Sequence, residues 1–143
     1  MKRFLFITAL FVLAVAGCRH QQNFTTNPGN MNPELMLSLH NEERGSRTSL
    51  EIDSNLANRA QEHAEWMANR NRLVHSNLKV DGGWRTVGEN IAKGQNSEEH
   101  VVHSWMNSFG HKRNILNNNF TNVGFGHAVS QNGTRYWCTI FGG

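Results

Sequence analysis

Three short stretches hold side chains whose types could do chemistry together. Val74-His75-Ser76 and Ser108-Phe109-Gly110-His111 each bring an imidazole, and Gly88-Glu89-Asn90 brings a carboxylate between them. Two imidazoles facing one another suit a divalent ion such as Zn²⁺, at about 2.0–2.1 Å per nitrogen. A tight site takes three or four protein ligands. Two histidines completed by water, with Glu89 as ligand or as the group that orients a ring, describe a weak and open one. Protonation of either ring releases the ion, so binding should fall below about pH 6. The same residues admit a catalytic reading, in which Glu89 or a histidine activates a water and the metal polarises a substrate. They also admit an architectural one, in which His75, Glu89 and His111 form a hydrogen-bonded network that pins loops to a sheet. A glutamate in so short an apolar stretch needs partners in every case.

A serine nucleophile at Ser108 with His111 as its base is a further arrangement. No Gly-x-Ser-x-Gly elbow and no third orienting group accompany it, and Ser108 reads better as the N-cap of a short helix over 110–116. Asn114, His127, Lys112 and Arg113 are further candidates to line or rim a cleft around His111. His63, His100 and His103 read as surface histidines. Cys138 lies in an apolar strand with no titratable neighbour in sequence, which points to a buried, inert thiol.

The elements that must position these groups are legible from caps and periodicity. Asn32-Pro33-Glu34 opens a first helix with Asn as N-cap and Pro in the first turn, and Gly45 stops it. Leu35 and Leu39 mark its apolar stripe. His40-Asn41-x-x-Arg44 sits near its end, with Asn41 and Arg44 expected to satisfy backbone groups or an acid. Asp53-Ser54 opens a second helix, in which Leu56, Ala60, Ala64 and Met67 share one closely packed face. Asp81-Gly82-Gly83 is a turn, and 87–92 a short stretch that carries Glu89. Ser97-Glu98-Glu99 caps a third helix through Val101 and Trp105. The tail is a hairpin, 122–129 and 134–141, around Gln131-Asn132-Gly133. Its second strand is apolar on both faces, Trp137 and Phe141 on one and Tyr136, Cys138 and Ile140 on the other, so it is expected at the centre of a sheet covered on both sides. This makes a small layered α+β domain over 32–143.

The N-terminus is of another kind. Lys2-Arg3, an apolar run too short for an ordinary membrane span, and Val15-Ala16-Gly17-Cys18 read as a signal peptide over 1–17. The stretch 18–31 is a polar tether, about 20 Å long as a random coil. The formal net charge of the 143 residues is +3. Loss of the signal removes Lys2 and Arg3 and no acid, so the basic residues end only one ahead of the 11 acidic ones. No basic stripe remains to neutralise phosphates, which argues against nucleic acid as a partner.

The order His75-Ser76, then Gly88-Glu89-Asn90-Ile91-Ala92, then Trp105-Met106-Asn107-Ser108-x-Gly110-His111-x-x-Asn114-Ile115-Leu116 resembles the CAP superfamily, also called SCP/PR-1, in its bacterial branch. The likeness covers 32–143, and the ordered set is specific where no single piece is. It implies a three-layer α-β-α sandwich, with the tail hairpin in the central sheet, and a cleft in which His75, His111 and Glu89 take the family's two histidines and one of its two acids. The second acid's position holds Ser108, a trait of the bacterial branch that removes one carboxylate. Val15-Ala16-Gly17-Cys18 resembles a bacterial lipobox, which implies lipid on Cys18, a membrane as partner, and an extracytoplasmic place on the envelope, at the outer membrane if the host has one, since Arg19 follows Cys18. Three functions stay open. The favoured one is a non-enzymatic, monomeric binding module for a lipid, glycan or protein ligand. The others are a weak metal-assisted hydrolase of peptidase type using the same cleft, and a structural envelope protein.

Overall fold

The computed structural model describes residues 30–78 and 83–143. The signal segment, Cys18, most of the tether and the Asp81-Gly82 pair lie outside the described residues. Helix α1 (Pro33–Arg44) starts as its sequence directs, with the Asn32 side chain accepting from the N–H groups of Glu34 and Leu35. Helix α2 (Ser54–Arg70) is capped by Asp53 and ends on Asn71 in the left-handed conformation. Helix α3 (Glu98–Met106) is capped by Ser97, and α4 (Phe109–Ile115) follows after a tight turn. The strands are β1 (Glu51–Ile52), β2 (Val87–Lys93), β3 (Asn122–Val129) and β4 (Arg135–Gly142). They form one sheet in the order β1-β3-β4-β2, with β1 parallel to β3 and the other pairs antiparallel. The Asn132-Gly133 hairpin is present, and Gly133 supplies the positive φ that its turn requires. β4 is central. The two-residue strand β1 has no sequence signature; it is held through Glu51 N to Thr121 O and Asp53 N to Val123 O.

Each face of β4 feeds its own core. Tyr136, Cys138 and Ile140 pack with Leu56, Ala60, Ala64 and Met67 of α2. Trp137 and Phe141 pack with Met36 of α1, Val101, Val102 and Trp105 of α3, and Ile115 of α4. The architecture is therefore α2, then the sheet, then α1, α3 and α4: an α-β-α sandwich. The α2 layer lies unusually close to the sheet. A Cβ on Gly124 would fall 2.1 Å from the backbone of Leu56 and Ala57, and one on Gly126 2.2 Å from that of Ala60. Helix and strand meet backbone to backbone.

The first helix differs from expectation. Its buried stripe is Met36, His40 and Arg44, not Leu35 and Leu39. Leu39 only flanks the core. Arg44 is fully buried and donates to the carbonyls of Thr48, Ile115, Asn117 and Phe120. Asn41 closes the same region by bonding both backbone groups of Leu50. These two residues satisfy backbone, as their position in the sequence indicated. His40 sits among Trp105, Phe125 and Phe141 with Nδ1 donating to Met36 O. Burial is the main cause that lowers its pKa from 6.5 to about 4; the Met36 bond pulls it back up, and the Arg44 charge lowers it further.

Two predictions follow from these contacts. Gly126→Ala should destabilise the fold by more than about 2 kcal/mol in chemical denaturation, because the methyl group has only backbone to displace; an unchanged midpoint would refute the backbone contact. His40 is neutral when folded and titrates near 6.5 when unfolded, so its contribution is full above pH 6.5 and is lost as pH falls through 6.5 toward 4. The loss is about 3 kcal/mol. In His40→Leu, the fall in Tm across that window should shrink by a corresponding amount.

Candidate functional site

The candidate groups meet at the free edge of β2. Glu89 pairs in register with Ile140, so its side chain shares the α2 face of the sheet with Cys138 and Ile140. Its carboxylate is buried and surrounded by donors. His75 Nδ1 donates to Oε1 at 2.7 Å and Ser76 N at 3.0 Å, while Ser76 Oγ donates to Oε2 at 2.6 Å. Cys138 Sγ adds a longer contact to Oε2, 3.8 Å. A carboxylate only accepts, so Nδ1 of His75 carries the hydrogen and Nε2 is the nitrogen left for another partner. The His75 side chain is 61% exposed and the Glu89 side chain 3%. The carboxylate therefore holds the ring from behind and leaves its other nitrogen to the outside.

His63 belongs to this group too, contrary to the expectation of a surface histidine. Nε2 donates to Val74 O at 2.8 Å and lies 3.9 Å from Glu89 Oε2, and the ring stacks on Trp66. His63 stands three residues after Ala60 and four before Met67, on the flank of the buried stripe. That spacing is the sequence signal that could have placed it. With Arg59, Glu62, Trp66, Ser76 and Asn77 it lines a cavity of about 240 Å³ over Ile140.

His111 reaches the same edge from the other face of the sheet. Asn90 donates to His111 O, and Asn114 donates to Glu89 O and to Asn90 Oδ1. The Trp105 indole donates to Ile91 O. These bonds fix α4 against β2 and also satisfy carbonyls that an edge strand would otherwise leave open. Partial burial lowers the His111 pKa, and the charge of the neighbouring His75 lowers it further. Asn114 thus positions His111 while standing beside it.

Ser108 takes the N-cap position of α4, but by its backbone alone: its carbonyl accepts from Lys112 N, and its side chain makes no cap bond. Among the described residues no hydrogen bond couples it to His111. His127 stands apart from the cleft. It lies on β3, with β4 between it and β2, its ring against Trp137 on the face opposite Glu89, and its backbone is bonded by Gln61. Cys138 is buried, and its thiol pKa is pushed up by burial, by the Glu89 charge and by its bond to Glu89. The neighbour that sequence order hid suppresses the thiolate and keeps the thiol inert. His100 and His103 are exposed on α3, bonded to Asn96 and Asn107. Among the described residues no three His, Cys, Asp or Glu side chains converge as a metal-holding group.

The curated protein YkwD of Bacillus subtilis, itself uncharacterized, is 39% identical over 107 residues, 66% of this chain and 42% of its own length. The chain thus spans less than half of that relative. An outer surface protein of Borrelia burgdorferi has the same fold at 22% identity, with TM-score 0.70 over 80% of this chain and 97% of its own. An extracellular protein containing an SCP domain, from Bacillus anthracis, is 25% identical with TM-score 0.63, covering 76% of this chain and 39% of its own. The model of the cysteine-rich secretory protein family, CAP, matches residues 37–141, and the chain belongs to that family.

Proposed function

We propose that the chain is an extracytoplasmic CAP-domain binding module, held at a bacterial envelope by lipid on Cys18, whose cleft at His75 and His111 captures a ligand without turning it over. The state of Glu89 carries this reading. Both of its oxygens are taken up by His75, Ser76 and Cys138, so it orients a ring and is not poised as a base on open water. The outward Nε2 of His75 and the neighbouring His111 fit a divalent ion such as Zn²⁺ bound by two imidazoles and completed by water. Such an ion would give an anionic group of a lipid, glycan or protein a point of attachment. The absence of a third converging ligand among the described residues weighs against the metal-assisted hydrolase. The extracellular nature of the Bacillus anthracis relative supports a place outside the cytoplasm.

Titration of Zn²⁺ into residues 32–143 at pH 7.5 tests the cleft. One-to-one binding should disappear in His75→Ala/His111→Ala, with His100 and His103 left intact; equal binding by both proteins would sink the proposal. Glu89→Gln separates binding from architecture. It should weaken Zn²⁺ affinity about 10-fold, as loss of a ring-orienting partner does, and lower stability by roughly 1–3 kcal/mol. A loss of stability with unchanged affinity would leave the network as architecture.

A further inference from the structure

We propose that the outward face of α4, formed by Phe109, Lys112 and Arg113, docks on an anionic lipid bilayer. For proximity alone this rests on the envelope anchoring proposed above. Helix α4 turns Ile115 into the core and leaves Phe109, Lys112 and Arg113 outside, one turn apart. Phe109 is 86% exposed, far more than any other large apolar side chain described. A phenylalanine presented beside two cations is apolar area that water disfavours, next to charge that an anionic surface attracts. No acid stands on α4, and none follows Glu99 anywhere in the chain. Leu73 and Val74, 46% and 40% exposed, come just before His75 and are further exposed apolar side chains.

The geometry of the chain agrees. Asn32 N bonds Glu98 Oε1, which fixes the start of the domain beside the first turn of α3. Helix α3 is about 14 Å long and leads directly to α4. The stretch 19–31 spans at most about 45 Å when fully extended, so a lipid on Cys18 and this face can reach one leaflet together. Docking would bring His111, on the same short helix, close to the lipid headgroups.

The full chain with its lipid is reconstituted on vesicles of phosphatidylcholine alone or mixed with phosphatidylglycerol. A fluorophore is placed at Gly110→Cys, where an added Cβ meets nothing within 4 Å, and in a second protein at Asn55→Cys, at the exposed start of α2. Cys138 is buried and stays unlabelled. Brominated lipid should quench the dye at 110 and not at 55, and only on vesicles with phosphatidylglycerol. Lys112→Gln/Arg113→Gln should weaken docking about 25-fold, near fivefold per cation, and Phe109→Ser should abolish it. Flotation on both vesicle types without quenching at 110 leaves the anchor and overturns the docking face. Flotation on anionic vesicles alone, with quenching, supports the face and removes the anchor. No flotation on either removes both. Equal quenching at 110 and 55, on both lipids, or in the substituted proteins, overturns the docking face.

Discussion

A carboxylate buried in the face of an edge strand has to be surrounded by donors, and this molecule brings them from outside the sheet. Glu89 draws His75 and Ser76 out of the segment that follows α2, and it meets Cys138 of β4 and His63 of α2. The loop that ends in Ser76 crosses the edge of β2 because the acid holds it there. The other face of the same edge is closed by Asn114 and Trp105, whose side chains bond the carbonyls of Glu89 and Ile91. One strand edge therefore carries three tasks: it ends the sheet, anchors α4, and holds two imidazoles near each other.

Arg44 solves the converse problem in the opposite layer. A buried cation is stabilised here, among the described residues, by carbonyl oxygens, three of them from the end of α4 and the turn that follows it. Burial lowers its pKa from the ordinary arginine value, and the charge of Arg47 adds to this, yet a guanidinium keeps its proton throughout the physiological range. The α1 side of the molecule is thus tied by a group that does not titrate. The β2 edge is tied instead by a carboxylate and the side chains gathered around it.

Much of this was legible in the chain. Asn32-Pro33, Asp53 and Ser97 begin helices because each supplies an acceptor to orphan N–H groups. The two-faced apolar pattern of 136–141 put β4 at the centre. The odd position of Glu89 announced a carboxylate with a task. What stayed hidden was hidden for physical reasons. The buried stripe of α1 is one methionine, one histidine and one arginine, so a search for apolar period misses it. β1 is two residues whose pairing is decided by β3 alone. His63 and Cys138 have meaning only relative to a carboxylate far away in sequence. His127 was drawn toward the cleft by its chemistry, whereas its strand places it elsewhere.

Gly124 and Gly126 bear on how this molecule can move. Interlocking side chains can slip past one another by changing rotamers, which is how packed helices shear. Where backbone rests on backbone there are no rotamers to change, so α2 and the sheet behave as one rigid plate. The segment that ends in Ser76 and the short helix α4 flank the β2 edge of this plate. Side-chain hydrogen bonds fasten both to β2, and Ile115 adds a core contact beneath α4. Any adjustment at the β2 edge is therefore left to these two segments, with the plate behind them serving as a fixed stop.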